Sequence, residues 1–340
     1  MAQETRAAEQ HGATERVRRL REESLNTQPR LYMERAVLET EAYRKYEGTV
    51  SVPELRALTL RHFFAHKTIS IHRGELIVGE KGGGPQSAPT FPELCCHTIE
   101  DMQIMDRREL IRFAVTPEDL RIQKEEIIPY WEKRSIRYRI LNSMSDEWKA
   151  AYECGIFTEF MEQRGPGHTV GSNKIYQKGF LDYQEDIRRA MDALDFVHDK
   201  DALHRKEELS AMSIACEAVM ILGRRYEALA REMAAAETDP QWKADLLAIA
   251  ENCAVVPAHK PQTFHQALQM YWFVHLAVTS ELNPWDSYSP GRLDQHVYPF
   301  YRDDVAAGRL TRDQALELLE CLWVKFNNQP APPKVGVTLK

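Results

Sequence analysis

Residues 263–282 (TFHQALQMYWFVHLAVTSEL) constrain the fold more than any other stretch of the chain. Thr263 stands where an N-cap belongs, and the residues after it read as one helix. Apolar side chains cover nearly every side of that helix, so it has no face to give to water. It is stable only when other elements surround it. The apolar run Met270–Val278 is too short to span a bilayer and contains His275, so the helix is expected at the centre of a water-soluble fold.

The surrounding material is mostly helical by pattern. Residues 14–25 and 32–46 are charged amphipathic segments with apolar residues at three- and four-residue spacing. Pro53 opens a helix through about His66, at a position proline favours. Further helices are predicted between Arg107 and Cys154, over Tyr183–Leu194, over 205–236, from Pro240 to about Asn252, and over 311–326 with Thr311 as N-cap. Leu76-Ile77-Val78-Gly79 is a short strand candidate, followed by a glycine-rich turn. Residues 334–340 alternate like a strand, and the sequence stops within it, which reads as part of a larger fold.

Directly after the apolar helix comes TSELNPWDSYSPGRLDQHVYPFY, residues 279–301. Asp286, Arg292 and Asp294 stand there among Trp285, Tyr288, Tyr298, Phe300 and Tyr301, with a turn at 289–292. A few placed polar groups among aromatics is the composition of a small-molecule pocket. The alternative is a tight turn braced by an Arg292–Asp294 ion pair.

The charge balance removes some functions. Against 44 basic residues stand 51 acidic ones, a net charge of −7, which argues against a nucleic-acid binder. The six cysteines (Cys95, Cys96, Cys154, Cys216, Cys253, Cys321) form no CxxC and no disulfide framework, so no metal site is expected and a reducing cytoplasm fits. The first fifty residues have no apolar leader, and 1–16 are expected to be disordered. Gly82-Gly83-Gly84 lacks the Lys-Ser or Lys-Thr of a phosphate loop and reads as a turn. Cys95-Cys96-His97 is a poor metal site, because adjacent side chains diverge and one metal rarely takes all three; buried structural cysteines are the expectation. In FTEFMEQRGPGHT (157–169), Phe157 and Phe160 share a helix side, and His168 follows a break at Gly165-Pro166-Gly167. That histidine is either structural or part of a pocket. His259 and His265 receive no role.

Several long blocks carry a resemblance: PELCCHTIED at 92–101, FTEFMEQRGPGHT at 157–169, VPAHKPQTFHQALQMYWFVH at 256–275, SPGRLDQHVYPFY at 289–301 and CLWVKFNNQPAPPKVG at 321–336. From about Val17 to Lys340 the chain resembles the N-terminal part of glycyl radical enzymes of the pyruvate formate-lyase superfamily. Within that superfamily it is most similar to the trans-4-hydroxy-L-proline dehydratases. The resemblance implies an α/β fold, mostly helical in this piece, forming the N-terminal part of a ten-stranded α/β barrel over residues 1–340. Family members are more than twice this length. Their catalytic cysteine and radical glycine lie C-terminal to the position of Lys340, and none of the six cysteines here matches the radical-bearing one.

The same resemblance implies a substrate pocket containing Phe160, His168 and Asp286, with His168 and Asp286 in supporting catalytic roles. Isethionate sulfite-lyases tend to carry Gln at the position of His168. The implied reaction turns hydroxyproline into 1-pyrroline-5-carboxylate and water. No cofactor is bound directly; a separate activating enzyme, using S-adenosylmethionine and an iron–sulfur cluster, installs the glycyl radical. A cytoplasmic homodimer is implied at full length, with no nucleic-acid or membrane partner. Other glycyl radical lyases (isethionate or diol type), or an inactive fragment or partner subunit, remain as alternatives. By itself this piece is expected to leave apolar surface exposed.

Overall fold

The computed structural model of the chain describes residues 12–157, 170–282 and 289–330. Its helices begin where short polar side chains can accept from the free N–H groups of a first turn. Thr14 caps α1 (Glu15–Asn26). After β1 (Arg30–Tyr32) and α2 (Glu34–Tyr46), Ser51 and Glu54 form a capping box on α3 (Val52–His66), with Pro53 in its first turn. β2 (Ser87–Pro89) precedes α4 (Ile99–Arg107), which Thr98 and Asp101 cap in the same way. Thr116 and Asp119 do so for α5 (Pro117–Ile122). A π-turn over Gln123–Ile127 then leads through α6 (Ile128–Trp131) to α7 (Ile136–Ser143) and α8 (Asp146–Glu153).

The second half holds α9 (Lys174–Gln177), α10 (Phe180–Asp192) and the long α11 (Ala202–Ala236). Asp239 caps α12 (Pro240–Val255), and Thr263 caps α13 (Phe264–Glu281). α14 (Leu293–Ala306) and α15 (Arg312–Asn327, capped by Thr311) complete the set. α11 packs along α3 and α12, α10 lies on α11, and α1 lies against α15.

α13 runs through the centre, as its composition requires. Tyr271, Trp272 and Phe273 are all fully buried, on different sides of the helix. Trp272 and Tyr271 join a core with α1, α14 and α15, while Phe273 joins one with α3, α11 and α12. Each such side chain contributes roughly 1.5–3 kcal/mol by leaving water. A third core, between α2, α4 and the π-turn region, contains Leu31, Met102 and Trp131.

The structure departs from, or adds to, the sequence reading at three places. Residues 76–79 form no strand. Their backbone groups are paired instead by side chains of α13 at helical spacing: His265 Nε2 meets the Leu76 carbonyl at 2.7 Å, Gln269 bonds both the N–H and C=O of Val78 at 2.9 Å, and Trp272 Nε1 donates to the Gly79 carbonyl at 2.8 Å. Gly79 has φ +124°, and a Cβ there would lie 2.5 Å from Leu276 Cδ1. The strands among the described residues are β1 and β2, paired in parallel with Arg30 opposite Ser87. Second, α14 follows the 289–292 turn although Pro299 lies inside it and hides the helical pattern. Third, Glu15 and Arg16, within the stretch expected to be disordered, are helical, and Arg16 pairs with Asp245 at 2.8 Å. The strand candidate at 334–340 lies outside the described residues.

Replacing Trp272 by Phe keeps most of the apolar bulk but strands the buried Gly79 carbonyl. We expect a loss of about 1–3 kcal/mol in chemical denaturation; an unchanged midpoint would show that this bond carries no weight.

An open groove of about 980 Å³ runs between α3, α10, α11 and α13, floored by Leu60, Ala211, Val219, Val274 and Ala277. Its lining suits contact with another protein surface rather than a small polar molecule. Among the described residues, no helix is long and apolar enough to cross a membrane.

Candidate functional site

Phe160, His168 and Asp286 lie outside the described residues, in the segments 158–169 and 283–288. The flanks of both segments are described. The Val170 N–H donates to the Ser289 carbonyl at 3.1 Å, so the described residues that follow the two segments are tied together. Val170 itself is buried in the central core with Ile175 and Tyr176. Gly171 sits at φ +64°, and a Cβ there would approach Ile175 Cγ2 to 2.2 Å. Tyr176 lays its ring against His296 and Phe300 of α14, with centroids 5.7 and 6.2 Å away. On the other side, Gly291 (φ +63°) donates to Ser289 Oγ at 3.2 Å and turns the chain into α14. Among the described residues, Arg292 and Asp294 have no ion pair with each other; Asp294 occupies the first turn of α14, where a helix favours an acid.

The C-terminal end of α13 is held just as firmly. Arg35, 3 % exposed, donates Nε to the Ser280 carbonyl at 2.9 Å, at the C-terminal end of α13. Its other nitrogens reach Glu93 at 2.8 and 3.2 Å and the Thr90 carbonyl at 3.2 Å. Its guanidinium lies over Phe91, 3.8 Å from the ring centroid. Burial alone would lower the Arg35 pKa, but Glu93 and Glu39 outweigh it and hold the charge. Arg56 donates to Glu281 at 2.6 Å. Two cations thus meet the negative end of the helix dipole where the chain leaves α13.

A second buried charge cluster escaped the sequence reading. Lys325 of α15 is 3 % exposed and donates to Glu75 at 2.5 Å and Glu80 at 2.6 Å. Glu80 also accepts from Asn328 at 3.2 Å and from Gln329. Lys67 donates to the Glu80 carbonyl at 2.6 Å. This cluster locks residues 75–82 to the end of α15. A signal for it existed: Lys325 falls on the same helical face as Leu318, Cys321 and Leu322.

Cys95, Cys216, Cys253 and Cys321 are buried, Cys96 is half-buried and Cys154 is exposed. Cys95 is buried, and Cys96 borders a cavity of about 280 Å³ with His97 and Arg137. Burial, with help from Glu132, pushes the Cys96 thiol up to about 12. Burial also raises Cys216 to about 11, Cys321 to about 12, and Cys253 as well. A thiol so disfavoured as thiolate is a poor nucleophile. Among the described residues, no cluster of three or more His, Cys, Asp or Glu is placed to hold a metal ion.

These groups give a pH dependence. Between about pH 8.5 and 10, unfolding releases protons from the four thiols, whose folded pKa values are raised. Lys67 and Lys81, lowered by burial to about 8, act in the opposite direction. Four against two leaves the folded state holding more protons, so stability falls with rising pH, by up to about 2.7 kcal/mol per unit. Urea melts under reductant at pH 8.5 and 9.5 check this; greater stability at 9.5 would refute it.

A central, almost wholly buried helix therefore stands within a mostly helical surround. The chain belongs to the pyruvate formate lyase-like family, whose model matches residues 11–340. It is 61 % identical over 329 residues to the trans-4-hydroxy-L-proline dehydratase of Clostridioides difficile, covering 97 % of this chain and 42 % of that one. The crystal structure of the hydroxyproline dehydratase from Clostridioides difficile, with substrate trans-4-hydroxy-L-proline bound, superposes with a TM-score of 0.93 at 61 % identity, over 96 % of this chain and 42 % of that one. The isethionate sulfite-lyase of Nitratidesulfovibrio vulgaris is 35 % identical over 91 % of this chain and 38 % of its own. The glycerol-bound B12-independent glycerol dehydratase from Clostridium butyricum is 30 % identical with a TM-score of 0.85, over 95 % of this chain and 40 % of that one. The chain thus spans about two-fifths of the length of these relatives.

Proposed function

We propose that this chain is the substrate-side portion of a glycyl radical dehydratase that converts trans-4-hydroxy-L-proline into 1-pyrroline-5-carboxylate and water. The observation that carries this reading is the 61 % identity, across 97 % of the chain, to a trans-4-hydroxy-L-proline dehydratase. The bond between Val170 and Ser289 supports it. In sequence, His168 is two residues before the first of these and Asp286 three before the second.

In this reading the carbon beside the ring nitrogen loses a hydrogen atom to a cysteine radical in the rest of the enzyme, and the neighbouring C4–O bond then breaks. Hydroxide leaves poorly, so the departing oxygen needs a proton or strong hydrogen bonds, which His168 supplies. The Asp286 carboxylate faces the ring nitrogen and favours its ammonium form. Phe160 packs on the apolar ring edge and keeps water from the radical intermediates. The cysteine then returns the hydrogen atom to the product radical at C4, which regenerates the cysteine radical, so the net loss from the substrate is one water. A separate activating enzyme using S-adenosylmethionine and an iron–sulfur cluster, a cytoplasmic setting and a homodimeric full-length enzyme complete the proposal.

The test is a chimera in which residues 1–340 of this chain are followed by the remainder of the Clostridioides difficile relative. After activation it should dehydrate trans-4-hydroxy-L-proline, read by mass spectrometry. A properly activated chimera that leaves this substrate untouched would overturn the assignment. The glycerol dehydratase likeness favours a second reading, a dehydratase for a small diol, which the same assay with glycerol and propane-1,2-diol addresses.

A further inference from the structure

Lys81 is a buried cation without a counter-charge among the described residues. Its side chain is 5 % exposed. Its backbone N–H is held by Gln329 Oε1 at 3.0 Å, at the C-terminal end of α15, but its ammonium has no ion pair or hydrogen bond to a described residue. The two acids nearby in sequence, Glu75 and Glu80, are engaged by Lys325. The charged neighbour of His275 is Lys81 itself, and burial together with that charge holds the imidazole neutral, down at about 3. Next to Gln329, Asn328 Oδ1 is buried without a donor. Burial lowers Lys81 to about 8, so at neutral pH it is still mostly an ammonium. Buried charges in proteins are paired, because an isolated one is too costly. Lys81 and Asn328 sit where the described chain leaves α15, and the chain spans only 42 % of the length of its dehydratase relative.

We propose that Lys81 is one half of a buried ion pair whose other half is an Asp or Glu on the polypeptide that the relatives carry beyond the span of this chain. That segment packs an apolar surface bearing one acid against the junction of residues 79–81 with the end of α15. The inference rests on family membership and not on the identity of the substrate.

The chimera tests it through stability, independently of turnover. Lys81→Glu should lower the apparent Tm by about 5 °C or more. In that background, changing one acid of the remainder to Lys should restore at least half of the loss, while changes at other acids add independently. Lys81→Gln gives the same cycle with a smaller shift if Lys81→Glu does not fold. Five acidic side chains of this chain lie outside the described residues, Glu4, Glu9, Glu159, Glu162 and Asp286. Coupling of Lys81 to any of them would place the partner within this chain and overturn the proposal. So would a Lys81→Glu chimera that melts with the parent, or the absence of any restoring acid in the remainder.

Discussion

Replacing His168 by Gln in the chimera is expected to lower kcat/KM for trans-4-hydroxy-L-proline by about 10²–10⁴-fold, the usual worth of a positioned proton donor. Gln keeps a hydrogen-bonding side chain at the position but cannot deliver a proton. Loss in kcat, with KM little changed, would mark a role in the departure of the hydroxyl. Asp286→Asn should instead weaken binding, because an ammonium partner is lost and the amide offers only one weaker acceptor; a 30- to 1000-fold loss corresponds to about 2–4 kcal/mol. Full turnover by both variants would show that neither side chain touches the reacting groups, and the substrate assignment would then lack its site.

The largest expected effect on stability lies away from that site. Lys325→Met removes the only cation bonded to both Glu75 and Glu80 among the described residues. Two carboxylates, 3 % and 1 % exposed at their side chains, then lose the cation they share. Breaking a buried pair on one side costs about 3–5 kcal/mol. Burial already raises the Glu80 pKa despite Lys325. Without that lysine the carboxylate is held further from ionisation, so the variant should recover part of its loss as pH falls from 7 towards 5. Denaturant melts of parent and variant at both pH values measure this. A variant as stable as the parent at pH 7 would mean that the cluster is rearranged by water or neighbours.

Much of this fold was legible because its helices carry local punctuation. Thr14, Thr263 and Thr311 mark true helix starts, and the apolar belt of 263–282 dictated its central place. What escaped the reading depends on partners distant in sequence. Residues 76–79 look like a strand because they are apolar and short. Their hydrogen bonds come from His265, Gln269 and Trp272, nearly two hundred residues on. α14 was hidden by Pro299, and β1 and β2 are three residues each, too short for a period to show. The buried ions Arg35, Lys81 and Lys325 read as ordinary surface charge, because composition does not reveal which charges are paired inside. The candidate site is the reverse case. Composition marked Asp286 and the aromatic turn around it, but only the resemblance joined them to Phe160 and His168. The bond from Val170 to Ser289 then ties the flanks of the two segments together.

The most direct measurement is a competition. The activated chimera is given equal concentrations of trans-4-hydroxy-L-proline, isethionate and propane-1,2-diol, and the products are followed together by mass spectrometry. Consumption of hydroxyproline at least about a hundred times faster than either competitor, with loss of one water, is the expected result; a site built to hydrogen-bond one substrate discriminates by that much or more. Preferential cleavage of isethionate or dehydration of the diol would contradict the account.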